Sequence, residues 1–385
     1  MLRPLLPPQA RRVLDLARRD RAAATRALAE LSLDAQVALV CETPLARRAE
    51  LLALASEPEA VIPRLPEAEL CFTLKAAGLA DSAWILAQAS PEQLVACVDL
   101  DAWRAGRPDR AALGAWLEAL AEAGDEALLL GVRALDPELL VLLLRSRLEV
   151  EMRPSGDDGW QPPEGAHTLE GQFYLLPLQP GDDLAAVLRM LQVLLTQDYW
   201  TYFRLLQGVI HELELDCEEF ALRWRSGRLE DLGFPPWEEA LAIYGTLRPA
   251  ERAQVPEEAR ALEVEPWRLP VWIPQLPLET GSPHSVFRAI AALSEEERRA
   301  AFYALVGLAN KVAVADGFEL SDAESSPRAI EKAARFASLG LDFVAGERGL
   351  APAEVMRRVP LQRLFSVGAN LDPAAAKPPL REAAG

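Results

Sequence analysis

Prolines set at the start of successive apolar runs constrain this chain more than any other feature. Glu57-Pro58-Glu59, Ser90-Pro91-Glu92-Gln93 and Asp136-Pro137-Glu138 each precede such a run. Proline suits the first helical position because the N–H it lacks has no intrahelical partner there and its φ is already helical. Ser90 or Asp136 at the preceding position suits capping of the free amides, and Gln93 is placed to close a capping box. Short helices of this kind each need a neighbour to bury one face, so the spacing predicts a stacked array of helical hairpins. Such arrays more often bind than transform.

The expected fold is mainly α, with a superhelical N-terminal block, a small antiparallel β-hairpin insertion and a second helical block. The predicted divisions are a basic arm over 1–26, a helical-repeat domain over 27–150, the hairpin and its loop over 151–180, and a second helical domain over 181–368. In the insertion, Leu148–Met152 alternates apolar and polar, 155–159 is rich in turn residues, and 172–176 is strand-like. Inside the second domain, 266–283 is Pro-spaced and expected to be extended, because a residue before proline avoids the α region. Ser294 and Glu297 form a second capping-box pattern, for a helix expected to stop at Asp316-Gly317. A further helix is expected from Ser326-Pro327 to near Gly340. The Ala/Pro-rich tail, 369–385, is expected to be disordered.

Charge narrows the function classes. The chain of 385 residues carries 40 basic and 58 acidic side chains, a formal net charge of −18, which disfavours a general nucleic-acid partner. The arm runs against this trend, with Arg3, Arg11, Arg12, Arg18, Arg19, Arg21 and Arg26 against Asp15 and Asp20. It reads first as a solvated helix, with peripheral membrane contact through residues 1–26 as the weaker alternative. The longest apolar run, Leu139–Leu144, falls far short of the ~20 residues that a bilayer needs. No apolar leader follows Arg11-Arg12, so a cytoplasmic location is expected. Cys41, Cys71, Cys97 and Cys217 are scattered without metal-ligand spacing and read as reduced core thiols.

One constellation invites a chemical reading. His211, Glu212, Glu214, Asp216, Glu218 and Glu219 precede Arg223, Arg225 and Arg228. A ligand site would use Glu218, Glu219, Arg223, Arg225 and Arg228 to hold a divalent cation, magnesium at most, or an anion. The competing reading is structural: Asp216 and Glu219 as a capping box, Glu219 and Arg223 as an i,i+4 pair. Position 215 is Leu, so His211-Glu212 does not extend to H-E-x-x-H, and with only three histidines no resident cofactor or metal is expected. Asp99 and Asp101 are expected where a helix ends, with Asp101 capping the next turn and Trp103 filling a gap. Lys311 lies in an apolar helix and is either a buried lysine of shifted pKa or one that reaches solvent along the surface. Gly281-Ser282-Pro283-His284-Ser285 places Ser next to His but reads as a loop before a helix starting near Val286.

The stretches LPEAELCFTLKAAG (65–78), SPEQLVACVDLDAW (90–103) and DPELLVLLLRSRL (136–148) resemble helical repeats of the intracellular N-terminal domain of MgtE-type magnesium transporters, so that residues 57–148 carry that likeness. It implies a superhelical stack and gives slight support to magnesium sensing; the transporter's membrane helices have no counterpart here. Over nearly its whole length the chain resembles a family of uncharacterised bacterial proteins of unknown function, on VDLDAW (98–103), EEFALRWRSGRLEDLGFPPWEEALAIY (218–244), LANKVAVADG (308–317) and LQRLFSVG (361–368). That resemblance brings no activity with it. The leading expectation is an adaptor or regulatory scaffold working through protein contact rather than an enzyme. The alternative is a cation-responsive domain or enzyme built on Glu218, Glu219, Arg223 and Arg225.

Overall fold

The computed structural model describes residues 7–104, 106–156, 159–179, 183–257 and 283–376. Helices dominate. They run α1 (Pro8–Ala17), α2 (Arg21–Ala29), α3 (Leu33–Glu42), α4 (Leu45–Leu52), α5 (Pro58–Val61), α6 (Glu67–Ala77), α7 (Ala83–Leu86) and α8 (Pro91–Asp101). A two-residue antiparallel pair, β1 (Trp103–Arg104) with β2 (Arg107–Pro108), leads into α9 (Arg110–Ala123), α10 (Asp125–Ala134) and α11 (Pro137–Arg145). The hairpin of β3 (Leu148–Met152) and β4 (Phe173–Pro177) precedes α12 (Ala185–Gln197), α13 (Tyr199–His211) and α14 (Glu214–Asp231). Then come α15 (Trp237–Leu241), α16 (Pro249–Ala253), α17 (Ser285–Ala291), α18 (Glu295–Ala315), α19 (Ser325–Arg348), α20 (Pro352–Arg358), α21 (Leu361–Leu371) and α22 (Pro373–Ala376). None of the described helices is long and apolar enough to cross a membrane.

Among the described residues, the chain divides into two compact units between Arg225 and Ser226. This differs from the expected break at 181. Helices α12 and α13 pack on α10 and α11, and so belong with the first block. Within that unit many helices pack on a next-but-one neighbour: α4 on α6, α6 on α8, α8 on α10, α10 on α12, with α7, α9, α11 and α13 related in the same way. The first helix turns Ala10, Val13 and Leu14 inward and Arg11 and Arg12 outward. Its apolar side is thus packed against the rest of the first unit.

The helix starts follow the sequence. Pro58, Pro91 and Pro137 occupy first-turn positions, and Ser90 and Gln93 close a capping box. Gln93 also works in three dimensions, because its Nε2 donates to Ile62 O at 2.9 Å and Leu65 O at 2.7 Å. One buried amide thereby completes both its own helix and the end of an earlier turn. Asp136 departs from expectation, making no capping bond.

Helix α6 is buried on every side from Glu67 to Leu74. Polar groups in such a helix must find partners inside the protein. Arg48 pairs with Glu69 Oε2 at 2.5 Å while its Nε donates to Thr43 O at 2.8 Å. The expected hairpin forms with Val150 opposite Leu175, and Leu148, Val150, Phe173 and Leu175 face inward. All four cysteines are buried and free.

The second unit is built around α19, packed on α18 and α21, with Phe336, Leu341, Val344, Leu364 and Phe365 in its core. The capping box of Ser294 and Glu297 opens α18, which stops before Asp316 as expected. Helix α19 does not end near Gly340 but continues to Arg348. Gly340 is instead a point of close helix crossing. A Cβ there would overlap the Leu364 carbonyl, and one at Gly368 would overlap that of Phe336. Buried Asp316 accepts from the Tyr244 hydroxyl at 2.9 Å and pairs with Lys332 Nζ at 2.6 Å. Burial, with Asp316 beside it, pushes the Tyr244 hydroxyl far above its ordinary value. The tail expected to be disordered from 369 is helical through Ala376, where α21 and α22 continue the packing. Residues 377–385, and the Pro-spaced segment up to 282, lie outside the described residues.

Three variants test the second unit. Gly340→Ala lowers stability by about 1–3 kcal/mol, the usual cost of overpacking, read by urea denaturation. Gly346→Ala, in the same helix with open space around it, leaves stability unchanged or raises it by about 0.5–1 kcal/mol. The Arg357 side chain hydrogen-bonds Glu297, and with the capping bond from Ser294 this holds the Glu297 carboxyl down at about 2 against an ordinary 4.5. Its contribution is therefore present above pH 4.5 and lost as the pH falls toward 2. Glu297→Gln should flatten the acid limb of the stability curve in that window and leave its shape near neutrality unchanged.

Candidate functional site

The charged constellation lies on α14 and the residues just before it, and helix geometry decides which members meet. At 100° per residue, Glu214, Glu218, Ala221 and Arg225 share one face. That face is directed at the first unit. Arg110, at the start of α9, pairs with Glu214 and lies 3.5 Å from Glu218 Oε1. Ala221 is fully buried. Arg225 Nε donates to Asp99 O at 2.8 Å, and its guanidinium carbon sits 4.8 Å from the centre of the Trp103 ring.

Those contacts tie α14 to the VDLDAW turn. Asp99 and Asp101 do stand where α8 ends, both buried. Asp101 does not cap the next helix, since Asp109 caps α9 by accepting from the amides of Ala111 and Ala112. Asp101 is a buried junction instead. Its Oδ1 pairs with Lys75 Nζ of α6 at 2.5 Å, and its Oδ2 accepts from Trp116 Nε1 of α9 at 2.9 Å. Trp103 fills the space beneath Arg225. Arg104 Nη1 donates to Asp101 O at 2.9 Å and Trp103 O at 3.0 Å, closing the turn. Sequence reasoning singled out Asp99, Asp101 and Trp103 but missed Lys75, Trp116 and Arg110, which lie far away along the chain.

The remaining members scatter. Glu219 and Arg223 point outward from α14 and are exposed. Helix α14 begins at Glu214, so Asp216 lies in its first turn and the expected capping box with Glu219 does not form. Arg228 is half-buried and belongs to the second unit. Lys311 belongs there too, and lies along the surface with Nζ 3.0 Å from both Glu239 Oε1 and Gln362 Oε1. Among the candidates of the first unit, Glu218 and Arg225 act in one clamp, and Glu219 and Arg223 face away from it. No group of three or more His, Cys, Asp or Glu side chains among the described residues is arranged to hold a metal ion. Cys217, buried on the inner side of α14, is pushed up to about 12 by burial and by its bond to Glu212, so its thiol stays protonated.

The outer side of α14 has a different character. Leu213 is 68% exposed, Phe220 49% and Trp224 55%, and Trp200 at the start of α13 is 78% exposed. Leu213, Phe220 and Trp224 recur at helical spacing, so they form one stripe beside the outward Asp216, Glu219 and Arg223. Leu215 and Leu222, also exposed, lie on the opposite flank. Grouped large apolar side chains in water mark interaction surfaces far more often than isolated ones do.

A family described as a family of unknown function (DUF6178) matches residues 25–374. No curated protein and no solved structure matches the chain.

If the clamp is structural, Arg225→Ala should lower the first unit's stability by about 1–3 kcal/mol, since it strands a buried carbonyl and uncovers Trp103. Hydrogen exchange across 214–225 should rise at the same time. Added magnesium or phosphate should leave exchange in the native protein unchanged; protection of α14 by either would restore the ligand-site reading.

Proposed function

The chain belongs to that family of unknown function, and we propose that it acts through protein–protein contact, as an adaptor or regulatory scaffold in the cytoplasm. The observation that carries this reading is the exposed apolar stripe of Leu213, Phe220 and Trp224 along α14. Exposed tryptophan is costly in water and is enriched at interface hot spots, where a partner buries its large flat area. The helices of the first unit pack on next-but-one neighbours, in the manner of helical repeats, and so provide a stiff platform.

The inner face of α14 supports the same reading. Glu214, Glu218 and Arg225 are engaged in holding the helix down. A helix anchored in this way keeps its outer residues at fixed positions, which limits the ordering entropy of binding. The cation-responsive or enzymatic alternative would need Glu218, Glu219, Arg223 and Arg225 to converge, and they face different ways.

A photoreactive side chain placed at position 219, on the outer side of α14, in cells tests the proposal. We expect a discrete cross-linked adduct at physiological salt, lost when Phe220→Ser and Trp224→Ser are added to the same chain. An unchanged, unconjugated chain under these conditions would overturn the reading.

A further inference from the structure

We propose that the outer face of α14 is a self-association surface, on which a second copy of this chain lays the same helix antiparallel. The inference deepens the interaction reading and rests on it. Leu213, Asp216, Phe220 and Arg223 follow spacings of three, four and three residues, the seam of a pair of packed helices. All four are outward-facing and exposed. Asp216 and Arg223 have no ion-pair partner among the described residues, so each is open to a charge supplied by a second copy.

Charge decides who the partner is. Glu212, Glu214, Asp216, Glu218 and Glu219 fill the first half of the segment without a base, and Arg223, Arg225 and Arg228 follow without an acid. A uniformly basic partner meets repulsion at Arg223, and a uniformly acidic one meets it at Asp216 and Glu219. An antiparallel copy satisfies both ends. Phe220 lies about 6 Å along the axis from Asp216 and about 4.5 Å from Arg223. A two-fold axis through Phe220 therefore sets each Asp216 opposite Arg223 of the other copy, with an axial offset of about 1.5 Å. The two Phe220 rings meet at the centre and Trp224 covers the flank. The contact is isologous, so it closes at two copies.

Sedimentation equilibrium of the full chain across a concentration series gives the test. The native protein should dimerise, more weakly as salt rises. Asp216→Arg alone and Arg223→Asp alone should each weaken the dimer by about tenfold or more at low salt, because two attractive pairs become repulsive. Mixing those two variants should restore a dimer, since position 216 of each copy then faces a position 223 of opposite charge on the other. Restoration by a different chain separates pairing from any effect on folding. A native protein that stays monomeric throughout overturns the proposal, as does a dimer indifferent to both reversals. Monomers that still form the cross-linked adduct through position 219 would overturn self-pairing alone; monomers without it would overturn the interaction reading as well.

Discussion

An isolated helix of about ten residues is marginal in water, and most helices in the first unit are about that length or shorter. Everything else in this structure depends on removing that weakness by burial. A helix such as α6 survives because α4 covers one side and α8 the other. The cost is that polar side chains along it lose water from all directions. Arg48 with buried Glu69 is the response, while Lys75, at the exposed end of the helix, reaches buried Asp101; each pair joins two helices that are remote in sequence. These pairs add little net stability over apolar residues of the same volume, but they fix which helices meet and in what register.

Asp101 shows how one side chain can organise a neighbourhood. Its two oxygens receive Lys75 and Trp116 from helices on either side, and the turn that follows presents Trp103 to Arg225. The helix carrying Arg225 is thereby set with its apolar stripe outward. In the second unit Asp316 does comparable work between Tyr244 and Lys332, and the paired glycines 340 and 368 let two helices approach until backbone meets backbone. Buried charge and missing side chains are two routes to the same end, a unique packing.

Much of the architecture was legible in the chain because its signals are local. The Ser90–Gln93 and Ser294–Glu297 boxes, the first-turn prolines and the alternation of Leu148–Met152 are statements about residues a few positions apart. The failures are equally specific. Gly340 carries the same local signal whether it ends a helix or admits a neighbouring one, and only the presence of α21 distinguishes the two. The cluster from Glu218 to Arg228 looked like a site because its members are close in number. Once wound at 100° per residue, Glu218 and Arg225 turned inward and Glu219 and Arg223 outward.

The amino-acid sequence by itself determined that the chain is mainly helical, where several of its helices begin, and that a small hairpin interrupts them, because capping, proline geometry and apolar periodicity act over one turn. Tertiary structure alone decided which charges are spent inside. It alone placed Lys75, Trp116 and Arg225 around the VDLDAW turn, drew the division at Arg225 and left Phe220 and Trp224 facing water. Those outcomes depend on the rotational phase of one helix against another, a relation between residues tens of positions apart that no local pattern encodes.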